Sequence, residues 1–349
     1  MGPVISFWWR RTLAAGALVL AVAASCQRPA APPAAPPAAP PVESHTLSVA
    51  FWNLEWFPGH HPHARAEAQA AHVAAVTPAV ARLGADVLGL EEIADRNAAG
   101  LVVAGLPDFK VDVCSEFLRG PEAKVRRRSR AKNADAEPLP DEPPSPDDGA
   151  PWTVPDRQQV ALCSRLPVLA VGAQAWQPDA EGRRQRRGFV WAVYRAAPGE
   201  VVLVYGLHLK SNVPDEPGGQ PANVLRREEA SRQLLAHEQA VAARWAGTDR
   251  LRLVVVGGDM NTSLDDPAFT AETTLRRWLG AGGFRWGWEG VPLPRRLTLP
   301  AKGRFAATCF DHLFYRAGGD RPVALASAAL GESTLAASDH RPVAARFSW

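Results

Sequence analysis

Six short segments of this chain present side chains able to bind a cation or move a proton. They are Asn53 and Glu55 in "FWNLEWF", Glu92 in "LGLEEI", His208 in "VYGLHLKS", Asp259 and Asn261 in "VVVGGDMNTS", Asp311 in "CFDHLFY", and Asp339 with His340 in "SDHRPV". Each couples an apolar, strand-like run to Asn, Glu, His or Asp. Taken singly, each reads as readily as a turn or a cap, because short polar side chains tie up local backbone groups. Their recurrence is the informative feature. Carboxylate and amide oxygens suit hard divalent cations, and an imidazole beside a carboxylate suits proton transfer or anion binding.

The elements that must position these residues can be read from periodicity. "TLSVAFWNLEWF" alternates as a strand, with Val49, Phe51 and Leu54 expected to face inward. "RAEAQAAHVAAVTPAVARLG" has helical spacing, with Pro78 expected to bend or divide it and Gly84 to close it. "ADVLGLEEI" reads as a buried strand ending in two carboxylates, followed by a helix near 95–105 and a strand around Val111. Further strands are expected near 158–164, 167–175, 188–195, 201–209 and 251–257. A long amphipathic helix is expected over about 222–246, a helix after Asp265-Asp266-Pro267, and strands in "FDHLFYR" and "RPVAARFSW". Many strands with few helices predict an α+β arrangement, most simply two packed sheets covered by helices.

The chain has 349 residues, 46% of them hydrophobic, and 32 prolines, many of which lie outside any core. Residues 1–26 carry an Arg pair, an apolar stretch short of a comfortable membrane span, and Ala-Ala-Ser before Cys26. This resembles a bacterial lipoprotein signal, with Ala23 where leucine is favoured. Residues 27–45, "QRPAAPPAAPPAAPPVES" and onward, favour extended polyproline geometry and read as a tether. The expected protein is exported and held at a membrane through an N-terminal lipid anchor. Gln27 in place of an aspartate points to the outer membrane if the cell is Gram-negative. The remaining cysteines, Cys114, Cys163 and Cys309, allow at most one disulfide, with Cys114–Cys163 and free thiols both open. No Cys/His spacing suggests zinc.

The formal net charge of +3 hides an uneven distribution. Residues 118–132 carry seven basic side chains, and residues 133–150 then carry six acidic ones, marking a charged insertion at about 118–156. A second basic cluster, "GRRQRRGF" at 182–189, leads directly into a strand and is the better candidate to grip a polyanion.

Taken in order, the six segments resemble the endonuclease/exonuclease/phosphatase superfamily of metal-dependent phosphoesterases over residues 46–349, with "GDMN" and "SDHRP" the most specific pieces. The resemblance implies a four-layer αββα sandwich of two mainly antiparallel sheets flanked by helices. It implies Glu92, Asn53 and Asp339 at a metal, with Glu55 where some members have an aspartate ligand. It further implies Asp259 and Asn261 orienting the attacking water and binding phosphate, His340 beside the phosphate with Asp311 as its carboxylate partner, and His208 as a second histidine. Lys210 and Arg187 are expected substrate contacts.

A phosphodiester repels a nucleophile, and general acid–base catalysis alone supplies about 10²- to 10⁴-fold, so Mg2+, Mn2+ or Ca2+ is the expected cofactor. Whether Asp259 or His340 takes the proton stays open at this level. The inositol-phosphatase signature and the tyrosine context of abasic-site endonucleases are absent. A monomeric nuclease acting on DNA or RNA outside the cytoplasm is the expected function. A sphingomyelinase-like lipid phosphodiesterase or a phosphatase is the alternative, with Trp286 and Trp288 as possible lipid contacts. A non-catalytic nucleic-acid or partner-binding member is the third reading.

Overall fold

Among the described residues twelve strands form two six-stranded sheets, and their order explains how segments far apart in sequence reach one edge. The computed structural model describes residues 44–118, 156–178, 185–213, 219–245, 250–301, 306–319 and 322–349. The expected signal segment, nearly all of the expected tether, the bulk of the charged stretch at 118–156 and part of the second basic cluster lie outside the described residues.

With β3 at Lys110–Cys114, β4 at Gln159–Ser164, β5 at Val168–Ala175 and β6 at Gly188–Ala197, the first sheet runs β11-β12-β1-β2-β4-β3 and the second β5-β6-β7-β8-β10-β9. In the first, β1 (Thr46–Phe57) pairs in parallel with β2 (Val87–Ile93), and every other pairing is antiparallel, including that of β12 (Val343–Ser348) with β1. In the second, β7 (Glu200–His208) and β8 (Arg250–Asp259) form the one parallel pair, and β10 (Asp311–Ala317) runs antiparallel to β8. The sheets are therefore mixed but mainly antiparallel, as expected. β11 (Ala324–Leu330) and the two-residue β9 (Arg285–Trp286) add strands that the pattern did not single out.

Strand alternation divides the apolar residues into three layers. Between the sheets lie Val49, Phe51, Val87, Val160 and Leu162 against Val190, Val202, Val204 and Val255. The opposite face of the first sheet, with Ala50, Trp52, Leu54 and Leu90, packs on α1 (Ala66–Leu83) and α2 (Arg96–Val103). The outer face of the second, with Leu203, Tyr205, Val254 and Val256, packs on α3 (Gly219–Trp245) and α4 (Thr274–Leu279). Leu54 thus faces the helices, not the other sheet. Pro78 sits inside one continuous α1 rather than dividing it.

Two glycines let the sheets close. A Cβ at Gly89 or Gly257 would fall within 2.2 Å or 2.3 Å of the Phe51 ring, so this side chain fills the space that both leave. All three remaining cysteines are free, so the Cys114–Cys163 disulfide does not form. Burial pushes the Cys114 thiol up to about 12, which keeps it inert.

Two buried histidines outside the catalytic cluster are locked neutral. His72 accepts the Gly59 N–H at 2.8 Å on Nδ1 and faces the Ala337 carbonyl at 2.7 Å with Nε2. His312 accepts the Trp286 indole N–H at 3.2 Å on Nδ1 and faces the Thr262 carbonyl at 2.9 Å. Burial holds both down to about 4. The unfolded chain therefore binds more protons between about 6.5 and 4, so this stabilisation is complete above about 6.5 and is lost as pH falls. Each histidine contributes on the order of 2–4 kcal/mol. Thermal unfolding should show a midpoint that falls steadily from pH 6.5 to 5; an unchanged midpoint contradicts the neutral assignment.

Candidate active site

The catalytic edge is built from the C-terminal ends of parallel pairs and the N-terminal ends of their antiparallel neighbours. β7 and β8 end there with His208 and Asp259, β2 carries Glu92 one residue before its end, and Asn53 stands where the regular β1–β2 register breaks, four residues before β1 ends at Phe57. Asp311 opens β10 and lies directly opposite Asp259 in the register, while Asp339 and His340 immediately precede β12, whose Val343 pairs with Phe51. Asp311 and the Asp339–His340 pair stand at strand beginnings, because an antiparallel strand starts where its neighbour finishes.

Local backbone conformations then aim the side chains. Glu92 has φ +56°, which breaks the alternation that would send it toward the helices. Asn261 has φ +52°, and Glu55 and Trp56 are also left-handed. Gly258, at φ +133°, has no room for a Cβ: one would fall 2.0 Å from the Leu207 carbonyl oxygen. The double glycine of "VVVGGD" thus answers two separate close approaches, Phe51 at Gly257 and the neighbouring strand at Gly258.

Asp259 is the hub. Its Oδ2 accepts the Asn53 amide at 3.0 Å and lies 3.3 Å from His208 Nε2 and 3.9 Å from His340 Nε2. Its Oδ1 accepts the Asn261 backbone N–H at 3.0 Å. Glu92 Oε1 lies 3.8 Å from His208 Nε2 and 3.4 Å from the Asn53 amide, and Oε2 accepts the Trp56 N–H at 3.2 Å. His340 Nδ1 meets Asp311 Oδ2 at 2.8 Å, and its Nε2 is 4.0 Å from Asp339 Oδ1. Asn53, Glu92, His208, Asp259, Asn261, Asp311, Asp339 and His340 therefore meet in one cluster, whereas Glu55 turns its carboxylate to His60 Nδ1 at 3.1 Å.

The histidines carry opposite charge preferences. Burial and the nearby Arg187 guanidinium hold His208 well below its ordinary value, so it is neutral. Burial also disfavours charge on His340, but the carboxylates of Asp311, Asp259 and Asp339 outweigh it and hold the imidazole well above its ordinary value. Burial pushes Asp259 up to about 7; His340 pulls against this, while Asp311 and Glu92 reinforce it.

Several participants were not singled out from sequence. Glu91 shares the inter-sheet face of Val87 and Gly89, is fully buried, and accepts the Asp259 N–H at 3.0 Å. The "LEEI" doublet held the signal, since strict alternation points its first acid between the sheets. Ser338 donates to the Asn53 carbonyl at 2.7 Å and accepts the His340 N–H at 3.0 Å, and the Trp52 indole donates to the His340 carbonyl at 3.0 Å. Thr298 Oγ1 accepts the Asp311 N–H at 3.1 Å.

Asn53 reaches the acids as an amide donor, bracing Glu92 and Asp259, while its oxygen accepts the Glu55 N–H at 3.0 Å. Arg186, in the basic cluster, pairs with buried Asp156 at 2.8 Å, and Arg187 donates to the Gln158 side chain and to the Leu209 carbonyl. Trp288 is buried, and half-buried Trp286 packs under the Arg296 guanidinium. Lys210 is buried at the end of β7, its amine 3.3 Å from Ser211 Oγ.

The donor set fits a hard cation. Glu92 is partly exposed, the surrounding groups are oxygens and imidazoles, and the cluster concentrates acid that a cation would balance. Among the described residues no group of three or more His, Cys, Asp or Glu is placed to hold a metal ion. Mg2+ requires none, since it binds through one or two carboxylates and keeps water and substrate oxygens as its other ligands.

The family model described as endonuclease/exonuclease/phosphatase matches residues 50–340. No curated protein matches in sequence. Among solved structures, the human Nocturnin catalytic domain with bound sulfate is similar at 14% identity and TM-score 0.55, covering 86% of this chain and 94% of that one. An endonuclease/exonuclease/phosphatase from Beutenbergia cavernae is similar at 17% identity and TM-score 0.54, covering 87% and 71%. D. rerio TDP2 complexed with single-strand DNA product is similar at 16% identity and TM-score 0.51, covering 86% and 98%. At these identities the likeness establishes the shared fold.

Proposed function

Because this chain belongs to the endonuclease/exonuclease/phosphatase family, whose members are metal-dependent phosphoester hydrolases, we propose that it hydrolyses nucleic-acid phosphodiesters with Mg2+, outside the cytoplasm. The observation that carries this reading is the position of Asp259, whose carboxylate faces both a neutral His208 and a charged His340 across less than 4 Å.

Glu92 and Asp339 would hold the cation, with Asn53 bracing Glu92. Bound there, a divalent cation polarises the phosphoryl oxygen, stabilises the departing oxygen and favours the ionised form of nearby carboxylates. Asp259, braced by Asn53 and the Asn261 N–H, orients the attacking water and receives its proton on Oδ2. The His340 imidazolium, turned by Asp311, donates toward a phosphate oxygen through Nε2, and neutral His208 fixes the far side of Asp259. Lys210 and Arg187 add positive charge along the same edge.

A nucleic-acid substrate is supported by this basic lining and by the similarity to a TDP2 structure holding a single-strand DNA product. With Trp288 buried and Trp286 packed under Arg296, the Trp-rich stretch lends no support to a lipid substrate, although a membrane anchor would suit one. The Arg pair, apolar run and Ala-Ala-Ser-Cys26 sequence support export with a lipid anchor at a bacterial membrane.

The purified full chain should be offered duplex DNA, single-stranded DNA, RNA, sphingomyelin and inositol phosphates with Mg2+, Mn2+ or Ca2+. Cleavage of DNA or RNA, lost on chelation, is the expected result. Turnover of sphingomyelin or inositol phosphates alone would overturn it.

A further inference from the structure

A pocket of about 440 Å3 opens beside the catalytic cluster, between the chain just beyond β3 (Lys110–Cys114) and the β5–β6 side of the second sheet; β5 is Val168–Ala175 and β6 is Gly188–Ala197. Its lining includes Glu116, Phe117, Leu118, Gln185 and Arg187. The volume lies in the range that accommodates a small organic group. Phe117 is held in place by Gln159, which accepts its N–H at 2.8 Å and donates to its carbonyl at 3.0 Å.

One carbonyl joins this pocket to the reacting centre. Leu209 O accepts the Asn261 side-chain amide at 3.2 Å and the Arg187 guanidinium at 3.4 Å. Arg187 is therefore the shared wall, with Asn261 and Asp259 on one side and the pocket on the other. Its charge also acts on Glu92 and Asp259.

Gln185 is the feature that specifies a ligand. It is only 4% exposed, and both its amide nitrogen and its amide oxygen are buried with no hydrogen-bond partner. A buried amide with neither half satisfied is costly, and such groups in folded proteins are as a rule paired. The complementary ligand must offer an acceptor beside a donor. Nucleobase edges do this, and glutamine pairs bidentately with adenine in this way. Phosphate oxygens supply only acceptors, and a choline headgroup supplies neither.

Phe117 and Leu118 provide apolar surface for a planar ring, as is usual where unstacked bases are read. We propose that this pocket receives the nucleobase adjoining the scissile phosphate and that Gln185 reads its edge; the assignment rests on the nuclease reading above.

The test compares kcat/KM of the full chain on short single-stranded oligonucleotides carrying either adenine or an abasic sugar at the cleaved position. Bis(p-nitrophenyl) phosphate serves as a phosphodiester with no base. Wild type should lose about 10-fold when the base is removed, the discrimination typical of one bidentate contact. Gln185→Leu should lose the same factor on the adenine substrate and nothing on the abasic substrate or on bis(p-nitrophenyl) phosphate.

Equal cleavage of base-bearing and abasic strands by wild type overturns the base pocket while leaving the nuclease reading intact. An equal loss on all three substrates in Gln185→Leu makes Gln185 structural and overturns it too. Turnover of bis(p-nitrophenyl) phosphate with no oligonucleotide cleavage removes the nuclease reading and this assignment with it.

Discussion

Asp259→Asn is expected to lower kcat by about 10³-fold or more, within the range lost with a general base that also positions its nucleophile. The amide oxygen can still accept the Asn261 N–H now bound at 3.0 Å. Its NH2 group, however, would face the Asn53 amide and the His208 Nε2 that lie 3.0 Å and 3.3 Å from the present carboxylate oxygen, placing donors against donors. The fold should tolerate the change. Asp259 is buried beside Glu91 and Asp311; the Asp311 charge raises the proton affinity of both Glu91 and Asp259, so removing one acid relieves like-charge repulsion. Thermal unfolding and steady-state kinetics on the same preparation check both halves. A rate close to wild type would remove Asp259 from the mechanism.

Asp311→Asn should cost about 10²- to 10³-fold in kcat, because it removes both the charge and the acceptor that hold His340. Asp311 Oδ2 is 2.8 Å from His340 Nδ1, and it supplies the largest of the charge effects that favour the imidazolium. His340→Ala should cost at least as much. The double variant should lose no more than His340→Ala alone, since Asp311 acts through the ring it orients. Additive losses would mean that Asp311 contacts the substrate independently. An Asp311→Asn enzyme with unchanged kcat would dismiss the pair.

Much of this site was legible in the sequence because each catalytic residue adjoins a strand whose apolar alternation is strong. Val-rich β8 stopping at Gly257-Gly258, and "LGLEEI" stopping at Glu92, mark strand ends without any structural knowledge. Local pattern could not show strand direction. Asp311 and His340 precede β10 and β12, and only the antiparallel pairings β10–β8 and β12–β1 bring strand beginnings to an edge made of strand ends.

Side-chain partners were equally hidden. That Asn53 turns its amide toward Glu92 and Asp259 could not be read from the sequence, and Arg186 reads as an anion contact until Asp156 is seen pairing with it. Pro78 looked like a break, yet the buried face of Val76, Ala79 and Val80 holds α1 together around it, a tertiary gain that exceeds the local penalty. Glu91 was overlooked because an acid between two sheets contradicts the rule that buries apolar residues there; it is retained where its oxygen fixes the backbone of Asp259.

The claim on which the rest depends is that Glu92 and Asp339 hold one divalent cation beside Asp259. Anomalous diffraction from crystals soaked in Mn2+ tests it directly. A single strong peak is expected with a Glu92 carboxylate oxygen about 2.0–2.2 Å away, within the range of hard-cation contacts, and it should vanish in Glu92→Gln. A Mn2+ peak elsewhere in the molecule, or one at this site that persists unchanged in Glu92→Gln, would contradict the account.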